Sequence, residues 1–128
     1  MIDFLNWFIG KKIKQITYEF LSSGEFYDQD NLALTLKYED GSMGNLIYST
    51  IGHQTFSKEH ITIFKNQNQI VIDDFKKINI NGKIQKIKQD KGNLKELEEF
   101  AKKIRGEKSL ISDEIDAFVT TDLINNLK

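Results

Sequence analysis

The residues of this chain best suited to chemistry are two histidines, two adjacent aspartates and a run of lysines. His53 and His60 are its only histidines, and imidazole is the side chain that moves protons near neutral pH or ligates zinc. No carboxylate stands at a metal-ligand spacing from either, and the chain has no cysteine. The pattern therefore assigns them no metal and no catalytic role, and reads both as structural or solvated. Asp73-Asp74 has the composition of an acid–base pair or cation site, but adjacent strand residues point to opposite faces, so a strand-end turn is the better reading. Lys83, Lys86, Lys88 and Lys91 form a basic cluster that Asp90 interrupts and no aromatic interleaves. That pattern fits a solvated strand edge, where lysine discourages edge-to-edge pairing. There is no Gly-x-Gly-x-x-Gly, no phosphate loop and no nucleophile beside an evident base. Pattern alone gives no self-contained active site.

The elements that would carry these residues are strands in the middle of the chain and helices at both ends. Ile16, Tyr18 and Phe20 alternate with polar residues, as do Leu32, Leu34, Leu36 and Tyr38, the period-two mark of strands with one buried face. Asp40-Gly41 predicts a hairpin into a strand carrying Leu46, Ile47, Tyr48 and Ile51. Short strands are expected around residues 61–64, 70–73, 78–80 and 84–88, with turn chemistry at residues 66–68 and at Asn81-Gly82. Near the end, Asn93 and Glu96 resemble a capping box, Leu94, Leu97, Ala101 and Ile104 follow at helical spacing, and Gly106 suits a C-terminal cap. A last helix is expected from Ser112, with Asp113 and Glu114 in its first turn. Its apolar face would be Ile115, Phe118, Val119 and Leu123, widened by Ile124 and Leu127. Helices bracketing a run of hairpin strands predict an α+β fold: an open, mostly antiparallel β-sheet with helices packed on one face.

The chain is 128 residues long, enough for one domain with a real core. At 39% hydrophobic and 29% charged it is globular in composition. A net charge of −1 supplies no field to draw nucleic acid or an acidic membrane surface. No apolar run reaches the roughly 20 residues of a membrane span, so a cytoplasmic location is expected. Residues 1–10 are apolar almost all round, with only Asp3 and Asn6 polar, and nothing resembling a cap precedes them. A helix greasy on every side belongs inside a larger body. The chain therefore reads as a single domain, residues 1–128, cut from a longer protein.

Several stretches, taken in order, resemble a known family. Ile2-Asp3-Phe4-Leu5-Asn6-Trp7-Phe8-Ile9-Gly10 is similar to the "H-x-I-D-x-x-x-W-L-x-G" helix of the Gfo/Idh/MocA oxidoreductases, the glucose–fructose oxidoreductase and inositol dehydrogenase family. Tyr38 to Ser42 resembles its "F-x-D-G-S" hairpin, and Gly52 to Phe64 its "G-x-x-x-x-x-K-E-R-I-E-V-F" segment. Ile72-Asp73-Asp74-Phe75 resembles "L-D-D-F", Gln89-Asp90-Lys91-Gly92 resembles "Q-D-K-G-H", and Leu94 to Ile104 the "E-L-x-x-F-x-x-A-I" helix. His60 stands where the motif has Arg, and Asn93 where it often has His.

The resemblance implies the C-terminal domain of an NAD(P)-dependent sugar, sugar-nucleotide or inositol dehydrogenase. The family's N-terminal Rossmann domain, its catalytic lysine and its catalytic histidine are absent from this sequence. No cofactor site is therefore expected here; NAD or NADP would bind the parent, and these residues alone would not be active. The implied partners are that missing domain in cis and further copies of the chain through the open sheet face. The implied substrate contacts are Asp3, His53, Lys58 and Glu59. Asp3 either helps fix the neighbouring histidine or serves as a helix polar contact. Lys58 and Glu59, after a long loop, either reach a substrate or clamp the sheet. The alternative function is a free-standing, non-catalytic dimerisation or interaction module derived from the same domain.

Overall fold

In a computed structural model, describing residues 1–21, 30–111 and 114–127, the chain is α+β, with three helices and two open antiparallel sheets. It divides into two units, residues 1–52 with 112–128, and residues 53–111. The expected strands form, shared between two sheets, except that Ile51, expected in the third, lies beyond its end at Tyr48.

The first unit holds α1 (Ile2–Ile9), β1 (Ile13–Phe20), β2 (Leu32–Tyr38), β3 (Met43–Tyr48) and the last helix, here α3 (Glu114–Asn125). The strands lie in the order β1-β2-β3, and β2 sets their faces. Leu34 pairs with Tyr18 on one side and Leu46 on the other, so these side chains share a face. Leu34, Leu36 and Tyr38 are fully buried there with Ile2 and Leu123, and Leu5, Ile9 and Leu127 pack against them. A register shift between Ile13 and Gln15 adds one residue to β1, which brings Ile13 opposite Tyr38 and onto the helix-covered side. The opposite face carries Thr17, Thr35, Lys37, Met43, Asn45 and Ile47, with Met43 and Ile47 exposed.

Both termini of α1 follow their residues. No side chain caps its start, and Gly10 closes it in the left-handed conformation, its N–H bonded to Asn6 O at 2.8 Å. The β2–β3 turn closes through Gly41, at φ 85°, and Asp40 Oδ1, which accepts from Ser42 N–H at 2.9 Å. That bond holds the Asp40 carboxyl below the usual carboxylate range.

In α3 the buried side differs from the expected stripe. Thr120 and Leu123 are buried and Leu127 half-buried, whereas Phe118, Val119 and Ile124 are exposed. The i, i+3, i+7 line through Thr120 wins because Thr120 has a bonding partner on α1, described below. The expected start at Ser112 and Asp113 lies outside the described residues, as do the side chains of Glu114 and Ile115.

The second unit is a meander, β4 (His60–Lys65), β5 (Asn68–Asp73), β6 (Lys77–Ile80) and β7 (Lys83–Lys86), followed by α2 (Asn93–Ile104). Two turns, Asn66-Gln67 and Asn81-Gly82, have positive φ at both central residues, the backbone that matches strand twist in two-residue hairpins. Ile61 and Ile63 oppose Ile72 and Ile70, and these oppose Ile78 and Ile80, giving an isoleucine face. The edge strand β7 is exposed throughout, as its lysines suggested.

Helix α2 departs from expectation at its start. Gly92, not Asn93, is the N-cap residue, with no side-chain cap bond. Its end follows the glycine: Gly106 N–H bonds Lys103 O at 3.1 Å and Glu107 N–H bonds Lys102 O at 3.0 Å, a Schellman closure.

Candidate functional site

The sequence-expected contacts fall in both units. Asp3, in the first turn of α1, accepts a hydrogen bond from the Thr120 hydroxyl of α3. Asn6, one turn on, accepts from Tyr38 Oη at 2.9 Å. The two polar residues of α1 are thus both used to fix the helix to its own unit, the helix polar contact being the arrangement seen for Asp3.

Lys58 lines an open cavity of about 460 Å3 in the second unit, with Gln54, Thr55, Phe56, Ser57, Asp74, Lys76, Gln89 and Lys91. Several backbone features assemble it. The 52–59 loop leads into β4, and its end is tied to the β5–β6 turn by Asp74 N–H bonding Glu59 O at 2.7 Å. That turn holds Asp74 and Phe75 at positive φ, a conformation that side chains with a Cβ adopt only under constraint. Gln89 Nε2 donates to Asp74 O at 2.8 Å, which ties that lining residue to the same turn.

Charges around it are mostly paired. Glu59 meets Lys91 Nζ at 3.2 and 3.3 Å, and Asp74 meets Lys76 Nζ at 2.5 Å. The Lys76 ammonium holds the Asp74 carboxyl below its ordinary value, and Asp74 raises Lys76 in return. A hydrogen bond from Ser57, helped by Lys77 and His60, keeps Asp73 ionised to lower pH than usual. Lys58 has no hydrogen-bond or ion-pair partner among the described residues. These groups suit holding a hydroxyl-rich or anionic ligand.

His53 stands apart from that lining. Its Nδ1 accepts from Thr55 N–H at 3.3 Å and lies 2.9 Å from Thr55 Oγ1, so the ring organises its own loop. His60 opens β4 opposite Asp73. Lys76 and Gln89 were not legible as site residues. Their place depends on how the β5–β6 turn meets the segment after β7, which no local pattern encodes.

Both sheets are built of antiparallel hairpins, without a parallel strand–helix–strand crossover. The described residues thus contain no strand–helix–strand unit with a glycine-rich turn of the Rossmann kind. They hold no group of three or more His, Cys, Asp or Glu placed to bind a metal. No helix among them is long and apolar enough to cross a membrane.

No protein-family model and no curated protein matches the chain. Two solved structures do. A provisionally named oxidoreductase from Thermotoga maritima superimposes with a TM-score of 0.72 at 15% identity, covering 95% of this chain and 39% of that one. A second Thermotoga maritima oxidoreductase gives 0.69 at 21% identity, covering 90% and 35%. The chain shares its fold with part of these proteins and spans little more than a third of their length.

Proposed function

We propose that the chain is the C-terminal substrate-binding and oligomerisation domain of an NAD(P)-dependent oxidoreductase of the Gfo/Idh/MocA type, acting on a sugar, sugar nucleotide or inositol. The observation that carries this reading is the shared fold: 95% of the chain overlays 39% of a protein named as an oxidoreductase. The motif resemblance points the same way independently, since it follows chain order rather than shape. In this reading the missing domain supplies the dinucleotide site and the catalytic groups. The residues here bind substrate and join copies through the open face bearing Met43 and Ile47. Lys58 is the residue best placed to meet a substrate, because its ammonium is unpaired on a cavity wall.

The test is to express the whole reading frame that contains these residues and follow NAD(P)H formation with a panel of sugars, sugar nucleotides and inositols. The reading requires turnover of at least one of them, with Lys58→Ala raising KM more than it lowers kcat. A frame that encodes a full-length protein with no dinucleotide binding would sink it.

A further inference from the structure

Helix α2 shows its apolar side to solvent. Leu94 is 73% exposed, Leu97 66%, Phe100 54% and Ile104 71%, although the spacing of 94, 97, 101 and 104 is that of a helix seam. The reason lies on its other side. Glu99 is buried, accepting from Lys102 Nζ at 2.6 Å and from Leu110 N–H at 2.8 Å, while Ser109 Oγ donates to Glu99 O at 2.9 Å. These bonds hold the polar face against the segment that follows the helix, which leaves the seam uncovered. Single exposed apolar residues are ordinary; a continuous stripe on one helix marks an interaction surface.

The charges along the helix say what fits it. Flanking the stripe, Glu96 and Glu98 lie in the first half and Lys103 and Arg105 in the second, while Lys95 and Lys102 are paired to the buried Glu99 on the opposite side. A second α2 laid antiparallel brings each acidic half beside a basic half and opposes the helix dipoles favourably; a parallel one stacks like on like. Antiparallel packing also sets Leu94 of one copy against Ile104 of the other and Leu97 against Ala101, the small residue that lets the backbones approach. Phe100 then falls next to the two-fold axis.

We infer that α2 is a self-association surface, and that its occupant is the α2 of a second copy of this chain, packed antiparallel. The inference does not rest on the oxidoreductase reading.

The chain has no cysteine, so single-cysteine variants report pairing without background. On mild oxidation, Phe100→Cys should form a disulfide-linked dimer. Leu94→Cys should cross-link at least ten-fold less, because antiparallel packing holds the two copies of residue 94 roughly 15 Å apart along the axis. Adding Leu97→Glu to Phe100→Cys should abolish the cross-link without changing thermal unfolding, residue 97 being exposed in the folded chain. Equal cross-linking at both positions means parallel or random encounter and overturns the inference. So does a monomeric Phe100→Cys, the result expected if another part of a longer chain covers the stripe.

Discussion

The Thr120 hydroxyl donates to Asp3 Oδ1, joining residues 117 apart in sequence and tying the first helix to the last. The first unit is thereby closed by its two ends, which come together on the helix-covered face of β1-β2-β3. Removing the hydroxyl while keeping the shape, Thr120→Val, should cost about 1 kcal/mol, read as a lowered denaturation midpoint. Asp3→Asn keeps an acceptor oxygen and should cost less, and the double variant should cost less than the sum of the two.

Gly44 has a packing role. A Cβ built there would lie 3.1 and 3.2 Å from the Leu5 methyl carbons, so α1 sits on β3 as closely as it does only because the strand is bare at that point. Gly44→Val should destabilise by about 1–3 kcal/mol. Combining it with Leu5→Ala should recover part of that loss. Simple addition of the two effects in chemical denaturation would contradict the steric account.

Tyr38 is fully buried with its hydroxyl on Asn6 Oδ1, and burial pushes the phenol above its ordinary value of 10.0. The folded state holds that proton longer than the unfolded state does. The stabilisation is therefore complete below pH about 10 and is lost as pH rises beyond it. Tyr38→Phe should cost about 1 kcal/mol at neutral pH and shallow the alkaline limb of a pH–stability curve.

Glu99 gives the acid counterpart. Lys102 and the Leu110 N–H hold its carboxyl at about 2, below an ordinary 4.5. Its contribution is present above pH about 4.5 and disappears as pH falls toward 2. Protection of the Leu110 amide, relative to its intrinsic exchange rate at each pH, should fall across that window in the native chain. In Glu99→Gln that protection should be low and nearly independent of pH over the same window.

The alternation of Leu32, Leu34, Leu36 and Tyr38 was enough to give β2 and its buried face, because period-two burial is a local property of the chain. Asp40-Gly41 and Asn81-Gly82 fixed their hairpins for the same reason. What was not legible depends on long-range contacts. Nothing near Thr120 announces a partner at Asp3, so the buried line of α3 was misplaced toward Phe118 and Val119. Nothing near Leu97 says that Glu99 will be the side held inward, or that the stripe will face out. At the site, Lys58 and Glu59 stood out as a charged pair after a loop. Their neighbours Lys76 and Gln89 became visible only when the strand register set the β5–β6 turn beside that loop.

The proposal that these residues are one domain of a larger oxidoreductase stands or falls on the DNA sequence upstream of the Met1 codon. A frame open for about a hundred codons or more is expected, encoding a glycine fingerprint, then a lysine, and a histidine just before α1. A stop codon followed by a ribosome-binding site directly before Met1 would contradict it and leave a free-standing, non-catalytic module.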